Sequence, residues 1–439
     1  VGLDIHEQGE RLARMMALAR VRFLVVDTPA RLNQLPEGAR AALSAVVAFH
    51  GEAPGILPWS ALRAGAPATD LPAPEADAEA LVIFTSGTTG QPKGIAYTHR
   101  QVMVACTAIL DAFPGLGEGG RVACWLPLSN LFQRMIDFCA ILRGGQIFYV
   151  KDPRTIMEHL RDIAPDVFIA VPRFYEKFYA GVKARFEMAP GLVRRLFTLA
   201  LVLGRERITR EQKGQPVPWW LRLALAAVQP FTSRPVRAAL GRRVRLLVSG
   251  SAPMPHWLLL DLAALGLPVY EAYGMSENIV PNCVNRPGAV RLGTVGRVLP
   301  PNRLRIAEDG EIWVAGPGIF TGYLDEPPAQ RDPEGFIPTG DYGTQDAEGF
   351  VTLLGRKSEL IKTSTGRRIA PAAVESLLKQ IPGVEACMVV GANRPFPAAV
   401  VWTQPQAAEE LARRLPQAAA TACAGLPDYQ RPKGFLILP

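Results

Sequence analysis

A chain of 439 residues, 49% hydrophobic and 20% charged, can bury more than one core and is too apolar to be a disordered solvating segment. Six cysteines with no C-x-x-C pair, and no His at zinc-finger spacing, argue against a disulfide framework and a metal cluster; they read as reduced thiols serving as small core side chains in a cytoplasmic protein. The net charge of +8 is concentrated: residues 173–245 hold 16 Lys/Arg against 4 Glu, and the rest of the chain holds 32 basic and 36 acidic residues.

The opening stretch VGLDIHEQGERLARMM has no basic head followed by an apolar stretch, so it does not read as a signal peptide. Short β-branched and aromatic runs follow: RFLVVD (22–27), AVVAFH (45–50), LVIFTS (81–86), RVACWLP (121–127), QIFYV (146–150), DVFIAVP (166–172), RLLVSG (245–250) and LPVYEAYG (267–274). Between them THRQVMVACTAIL, LFQRMIDFCAILR and PRFYEKFYAGVKARF have the spacing of amphipathic helices. Alternation of strand and helix with near-continuous apolar strands predicts mostly parallel, doubly wound α/β sheets.

The basic segment 173–245 includes Pro218-Trp219-Trp220-Leu221-Arg222-Leu223 and LFTLALVLG at 196–204, well short of the roughly 18–20 apolar residues of a bilayer span. Paired Trp beside Arg fits a helix lying on an anionic membrane surface; an Arg-rich solvated helical face fits equally well. No nucleic-acid recognition motif accompanies the charge.

After residue 290 the texture changes. RLRIAEDGEIWVAG is two alternating runs around Asp309-Gly310, a hairpin signal, and EGFIPTGDYGTQDAEGFVTLLG adds short strands and Gly turns. An antiparallel, barrel-like subdomain over 290–355 is expected to close a large domain of residues 1–355. IAPAAVESLLKQI (helix), EACMVVG and AAVVWTQ (strands) and AAEELARRLPQAAATACAG (helix) then predict a small α+β domain over 356–439.

Thr85-Ser86-Gly87-Thr88-Thr89-Gly90-Gln91-Pro92-Lys93-Gly94 follows a predicted strand and is expected to precede a helix. Four hydroxyls, glycines that let backbone N–H groups approach an anion, and a Lys make a phosphate cradle. It is not a Walker A loop, because Lys93 follows Pro92 and no Ser or Thr comes after it.

S-G-T-T-G-x-P-K-G resembles the signature loop of the adenylate-forming superfamily, which includes acyl-CoA synthetases, luciferases and peptide-synthetase adenylation domains. Further motifs follow in order. Ser249-Gly250-Ser251-Ala252-Pro253 resembles the turn that passes adenine and acyl group, and Tyr273-Gly274-Met275-Ser276-Glu277 the Y-G-x-[ST]-E motif. Thr339-Gly340-Asp341 resembles the ribose-binding T-G-D, and Gly355-Arg356-Lys357-Ser358 the opening of the small domain. Val171-Pro172-Arg173-Phe174-Tyr175-Glu176-Lys177 and Pro127-Leu128-Ser129-Asn130-Leu131-Phe132-Gln133-Arg134 look most like long-chain fatty acyl-CoA synthetases.

The resemblance implies ATP-dependent formation of acyl-AMP from a long-chain fatty acid, release of pyrophosphate, and transfer of the acyl group to CoA. Thr85, Lys93 and Glu277 are the implied catalytic residues, with Glu277 the Mg²⁺ ligand. Thr85, Ser86, Gly87, Thr88, Thr89, Lys93, Gly250, Ser251, Ala252, Glu271, Tyr273, Gly274, Ser276, Asp341 and Arg356 are the implied ATP/AMP-binding set. Asn130, Gly250, Tyr273 and Gly274 are implied to line the acyl pocket, Gly366 the CoA tunnel, and Ser358 the hinge. Tyr273 as a plain core aromatic and Asp341 as a turn Asp are the structural alternatives. Two departures stand out: Asn130 and Gln133 replace the more usual His and Glu, and Ser358 replaces Asp or Lys. The chain is expected to start after the family's first strand–helix stretch and to stop short of a C-terminal catalytic Lys. Lys433, in RPKGFLIL, lies upstream of that position and is not given the role. Two rivals remain: transfer to a carrier protein, and a catalytically dead acyl-nucleotide binding module. A cytoplasmic location, with peripheral association at the inner membrane face, goes with the substrate class.

Overall fold

The structure is a computed structural model that describes residues 1–4, 7–65, 72–85, 91–116 and 118–438. The chain forms two compact units, residues 1–303 with 315–337, and residues 304–314 with 338–439.

The first unit is built on a seven-stranded sheet. Strands Gln146–Tyr149, Arg121–Cys124, Val167–Ala170, Leu246–Ser249 and Val269–Met275 run parallel in that order. Asn278–Val284 and then Arg297–Val298 add antiparallel edge strands. Val167–Ala170 and Leu246–Ser249 are buried along their whole lengths, which is why both read as unbroken apolar runs. A three-stranded parallel sheet of Phe23–Val26, Ala45–Ala48 and Leu57–Pro58 precedes it.

One expectation is corrected at residue 93. Lys93 opens the strand Lys93–Thr98, which pairs antiparallel with Glu79–Thr85, so the Ser/Thr/Gly loop joins two strands of a hairpin. The helix begins only at His99, after a capping box in which Thr98 and Gln101 exchange side-chain and backbone bonds. The period-2 burial of Ile95 and Tyr97, both 0% exposed, outweighs the helical texture that starts next to them.

Helices Pro172–Glu187, Gly191–Gln212 and Trp219–Ala239 carry the basic segment and pack in a layer with His256–Ala264. At Gly204 the layer is closest: a Cβ there would lie 2.6 Å from the Ala264 carbonyl oxygen. Asp261, only 2% exposed, accepts from Tyr179 Oη at 2.6 Å and from Arg205 Nε at 2.5 Å, tying three of these helices together. No helix among the described residues is long and apolar enough to cross a membrane.

The second unit holds a four-stranded sheet ordered Arg303–Ile306, Glu311–Ala315, Ile337–Gln345, Val351–Arg356. The expected turn at Asp309-Gly310 is present, with the Gly310 N–H donating to Ala307 O at 2.9 Å. Most of this sheet clusters with the C-terminal residues, so the 290–355 stretch is divided between the two units. Arg368, from the ribbon Ile361–Lys362/Arg368–Ile369, stacks on Tyr342 and donates to Asp309 O, which binds ribbon to sheet. Beyond it, Ala386–Val390, Ala398–Trp402 and Gly434–Leu438 form a mixed sheet. Helices Pro371–Leu378 and Ala408–Ala422 complete its core through Val374, Leu378, Leu411 and Leu415, all 0% exposed. The fold class is the expected α/β architecture with antiparallel and small α+β parts. All six cysteines are free and buried.

Candidate active site

Ser86, Gly87, Thr88 and Thr89 lie outside the described residues, but the hairpin that carries them is described. Thr85 and Lys93 face each other across it. Next to Lys93, a Cβ on Gly94 would come within 2.8 Å of Leu324 Cδ1 and 3.0 Å of Phe84 Cε1, so segment 323–326 can lie close along the strand only because residue 94 is Gly. That segment bridges through Ile95 and Tyr323, and Leu324 N–H donates to Gly94 O at 2.8 Å.

A second hairpin meets the first. Met275 pairs with Asn278, leaving Ser276 and Glu277 as a two-residue turn, and a register shift between Tyr273 and Met275 marks an irregularity at Gly274. The buried Tyr97 donates its hydroxyl to the Ser276 carbonyl, locking turn to hairpin. Tyr323 donates to Glu277 Oε1 at 2.6 Å. Burial, then the Glu277 hydrogen bond, pushes the Tyr323 phenol up, so it remains a donor at neutral pH. Lys93 Nζ stands 4.5 Å from the centre of the Tyr323 ring and 3.0 Å from Glu326 Oε1. Lys93, Tyr323 and Glu277 thus form one connected group, with the Lys charge turned to Glu326.

The remaining first-unit residues gather at the carboxyl ends of the parallel strands, where open α/β sheets bind ligands. Glu271 lies opposite Ser249 in the sheet, which places Gly250, Ser251 and Ala252 beside Ala272 and Tyr273. Gly250 borders the ring of Phe132, 3.2 Å from where its Cβ would stand, and Ser251 adopts a left-handed φ of 68°. Ser249 Oγ is buried with no hydrogen-bond partner among the described residues. Glu271 is 7% exposed; desolvation pushes its carboxyl up to about 7, opposed by the Met254 N–H it accepts at 3.2 Å. Tyr273 is buried at 6% exposure, as a core aromatic would be. Asn130 caps the helix Leu131–Leu142, accepting the Phe132 N–H at 2.9 Å, while Gln133 is buried and donates to Asp137 Oδ1 at 2.8 Å.

In the second unit, Asp341 and Arg356 face each other across adjacent strands, with Arg356 Nε 3.5 Å from Asp341 Oδ1. Asp341 is 8% exposed, whereas the Arg356 side chain is 65% exposed. Gly340, at φ 73°, turns its N–H onto Glu311 Oε1 at 3.1 Å, and Lys357 Nζ holds Glu311 Oε2 at 2.8 Å. Ser358 is exposed in the turn that leaves the sheet. Gly366, at φ 79°, sits in the turn of the 361–369 ribbon and donates to Thr363 O at 2.9 Å.

A family model described as AMP-binding enzyme matches residues 1–324, and one described as AMP-binding enzyme C-terminal domain matches 358–429. The chain belongs to the AMP-binding enzyme family. A protein named long-chain-fatty-acid–CoA ligase FadD15, from Mycobacterium bovis, is 33% identical over 405 residues, which is 90% of this chain and 67% of that protein. Human long-chain-fatty-acid–CoA ligase 1 is 31% identical over 339 residues, 73% of this chain and 47% of that protein. The chain thus spans about two thirds of the bacterial relative and under half of the human one. Among solved structures, the anthranilate CoA ligase AuaEII in complex with anthranoyl-AMP shares the fold, with TM-score 0.71 and 22% identity over 99% of this chain and 78% of that one. O-succinylbenzoate coenzyme A synthetase from Bacillus subtilis, in complex with ATP and magnesium, matches with TM-score 0.68 and 22% identity over the same shares.

Sequence reasoning passed over Tyr323 and Glu326. Their partners Glu277 and Lys93 lie 46 and 233 positions away, and no spacing along the chain signals such a contact. Glu311 and Lys357, which fix the Gly340 turn beside Asp341, were missed for the same reason. Among the described residues no three His, Cys, Asp or Glu side chains gather into a metal cage. Mg²⁺ needs only one or two carboxylates when phosphates and water supply its other ligands, and Glu277 at its half-buried turn fits that donor set.

Proposed function

We propose that this protein activates a long-chain fatty acid with ATP and passes the acyl group to CoA. The observation that carries the reading is the Lys93–Tyr323–Glu277 group: a cation and a carboxylate fixed at the mouth of the phosphate-loop hairpin, in a family member whose relatives are named fatty-acid–CoA ligases. The fatty-acid carboxylate oxygen attacks the α-phosphorus of ATP, the bond to the β-phosphate breaks, and pyrophosphate leaves. The CoA thiol then attacks the acyl carbon, loses its proton, and expels AMP.

Thr85, Ser86, Gly87, Thr88 and Thr89 bind the phosphates. Lys93 leaves Glu326 to meet the negative charge that develops on them. Mg²⁺, bound through Glu277, would neutralise phosphate charge, and Tyr323 keeps that carboxylate in place. Gly250, Ser251, Ala252, Glu271, Tyr273, Gly274 and Ser276 frame adenine and the reacting carboxyl. Asn130, by fixing the start of the helix that carries Phe132, shapes the acyl pocket beside Gly250. In the second unit, Asp341 accepts the ribose hydroxyls and Arg356 donates to the same sugar. Ser358 is the hinge at which a large domain of residues 1–355 gives way to a mobile domain of 356–439, and Gly366 lines the pantetheine path. The setting is cytoplasmic, with the protein peripheral at the inner face of a membrane.

Pyrophosphate exchange into ATP, driven in turn by long-chain, short-chain and aromatic acids, tests the first step. Exchange driven best by long-chain acids is expected. No exchange with any acid would favour a dead binding module. Thioester formation with CoA set against a phosphopantetheinyl carrier protein tests the second step, and preference for the carrier would replace CoA as acceptor.

A further inference from the structure

Helix Trp219–Ala239 buries a stripe of Leu221, Leu225, Val228, Thr232 and Val236, at i, i+4, i+7, i+11 and i+15. The opposite face of such a helix is ordinarily polar. Here it carries Trp219 at 74% exposure, Trp220 at 50%, Leu223 at 62% and Phe231 at 56%. The helix packed beside it, Gly191–Gln212, exposes Leu192 at 70%, Leu199 at 44% and Val202 at 57%, and Met188 just before it is 89% exposed. Single exposed apolar side chains are normal, but seven on two adjoining helices, with Met188 just before them, are a surface that expects to be covered. Arginines share it: Arg194, Arg195, Arg222 and Arg234 are all exposed, and residues 188–239 hold nine Lys/Arg against two Glu, a net +7.

We propose that this two-helix surface docks the protein on an anionic lipid bilayer. A second copy of the chain fits poorly, because it would bring two surfaces that each carry these four arginines together. A bilayer interface takes both properties at once. Trp side chains settle at the headgroup level, Leu and Phe reach the acyl boundary, and Arg heads stay with the lipid phosphates while their stems lie along the apolar surface. The Trp pair opens its helix and Pro218 precedes it, so both indoles stand at one end of the exposed face. The assignment rests on the fatty-acid reading for its purpose alone, since an acyl substrate of that class is held in membranes.

Flotation of the full chain with vesicles, without ATP, fatty acid or CoA, tests it. One set is phosphatidylcholine alone and the other contains roughly one-third phosphatidylglycerol. Binding to the anionic set, weakened about tenfold at high salt, is expected. Trp219→Ser with Trp220→Ser should lower it about tenfold, and Arg194→Gln, Arg195→Gln, Arg222→Gln and Arg234→Gln combined should remove the preference for anionic lipid. Both variants should melt within a few degrees of the parent, since none of these side chains is buried. Equal binding to both vesicle sets, or no loss in either variant, overturns the proposal. So does a parent that ignores vesicles while self-associating, or binding an acidic carrier protein, through the same residues. Pyrophosphate exchange is measured separately, so an inactive protein that still floats would sink the fatty-acid reading alone, and an active one that does not float would sink the membrane surface alone.

Discussion

Tyr179, Asp261 and Arg205 form one tyrosine–carboxylate–cation group in the first unit, and Tyr323, Glu277 and Lys93 form another. Both tyrosine hydroxyls stand 2.6 Å from their carboxylates. The difference lies in the cation and the cover. Arg205 donates straight to Asp261, whose side chain is 3% exposed between helices, so that carboxylate is matched and shielded. Lys93 instead bonds Glu326, whose side chain is 42% exposed, and only stacks on Tyr323. A Lys bound to a half-exposed partner is easily redirected to a phosphate; an Arg bound to a buried one is not. The same three kinds of group, a phenol, a carboxylate and a cation, hold helices together in one place and, in the proposed function, meet a substrate phosphate in the other.

The contrast breaks most sharply at the cations. Lys93→Ala is expected to lower adenylation by about 10²–10³-fold, as losing one charge-stabilising donor does, with a melting temperature close to that of the parent. Pyrophosphate exchange and a thermal melt check both halves, and unchanged exchange would remove Lys93 from the chemistry. A third carboxylate, Glu271, has neither a Tyr nor a cation among its hydrogen bonds shown, and burial raises its folded pKa from 4.5 to about 7. Between those values the unfolded chain gives up a proton that the folded one keeps, so Glu271 lowers stability as pH rises from 4.5 to 7 and no further above it. The loss is about 3 kcal/mol at most, and Glu271→Gln should flatten that part of the stability–pH curve. An unflattened curve from urea melts would show that the folded carboxyl is not perturbed.

Arg205→Ala leaves the Asp261 charge with Tyr179 as its hydrogen-bond partner, and should cost about 2–3 kcal/mol; this is less than for a fully buried pair because the Arg205 side chain is 48% exposed. Its kcat should match that of the parent below the melt, and a loss of kcat without a loss of stability would contradict a structural role. Tyr323→Phe keeps the ring under Lys93 and removes only the bond to Glu277. Adenylation should fall about tenfold, or roughly 1.4 kcal/mol, with the Mg²⁺ requirement raised. An unaltered Mg²⁺ titration would mean that Glu277 holds its place without this tyrosine.

Local pattern was enough to read most elements of the sheets and helices, because an apolar run or a 3.6-residue period states which face is buried wherever the chain goes. The order of the motifs was enough, too, for the family, which the AMP-binding match over residues 1–324 bears out. It went wrong at Lys93. A strand of six residues, Lys93–Thr98, abuts a helix of fourteen, His99–Ala112, and only pairing with Glu79–Thr85 shows where one ends. The assignment of Tyr323 to Glu277 and of Glu326 to Lys93 belonged to tertiary structure alone. Side chains far apart in sequence meet through the packing of intervening elements, and that information is spread over the whole core rather than held near either residue. The same holds for the basic segment: its charge and its Trp pair were legible, but which side of helix Trp219–Ala239 faces outward was decided by the neighbours that cover Leu221, Leu225 and Val228.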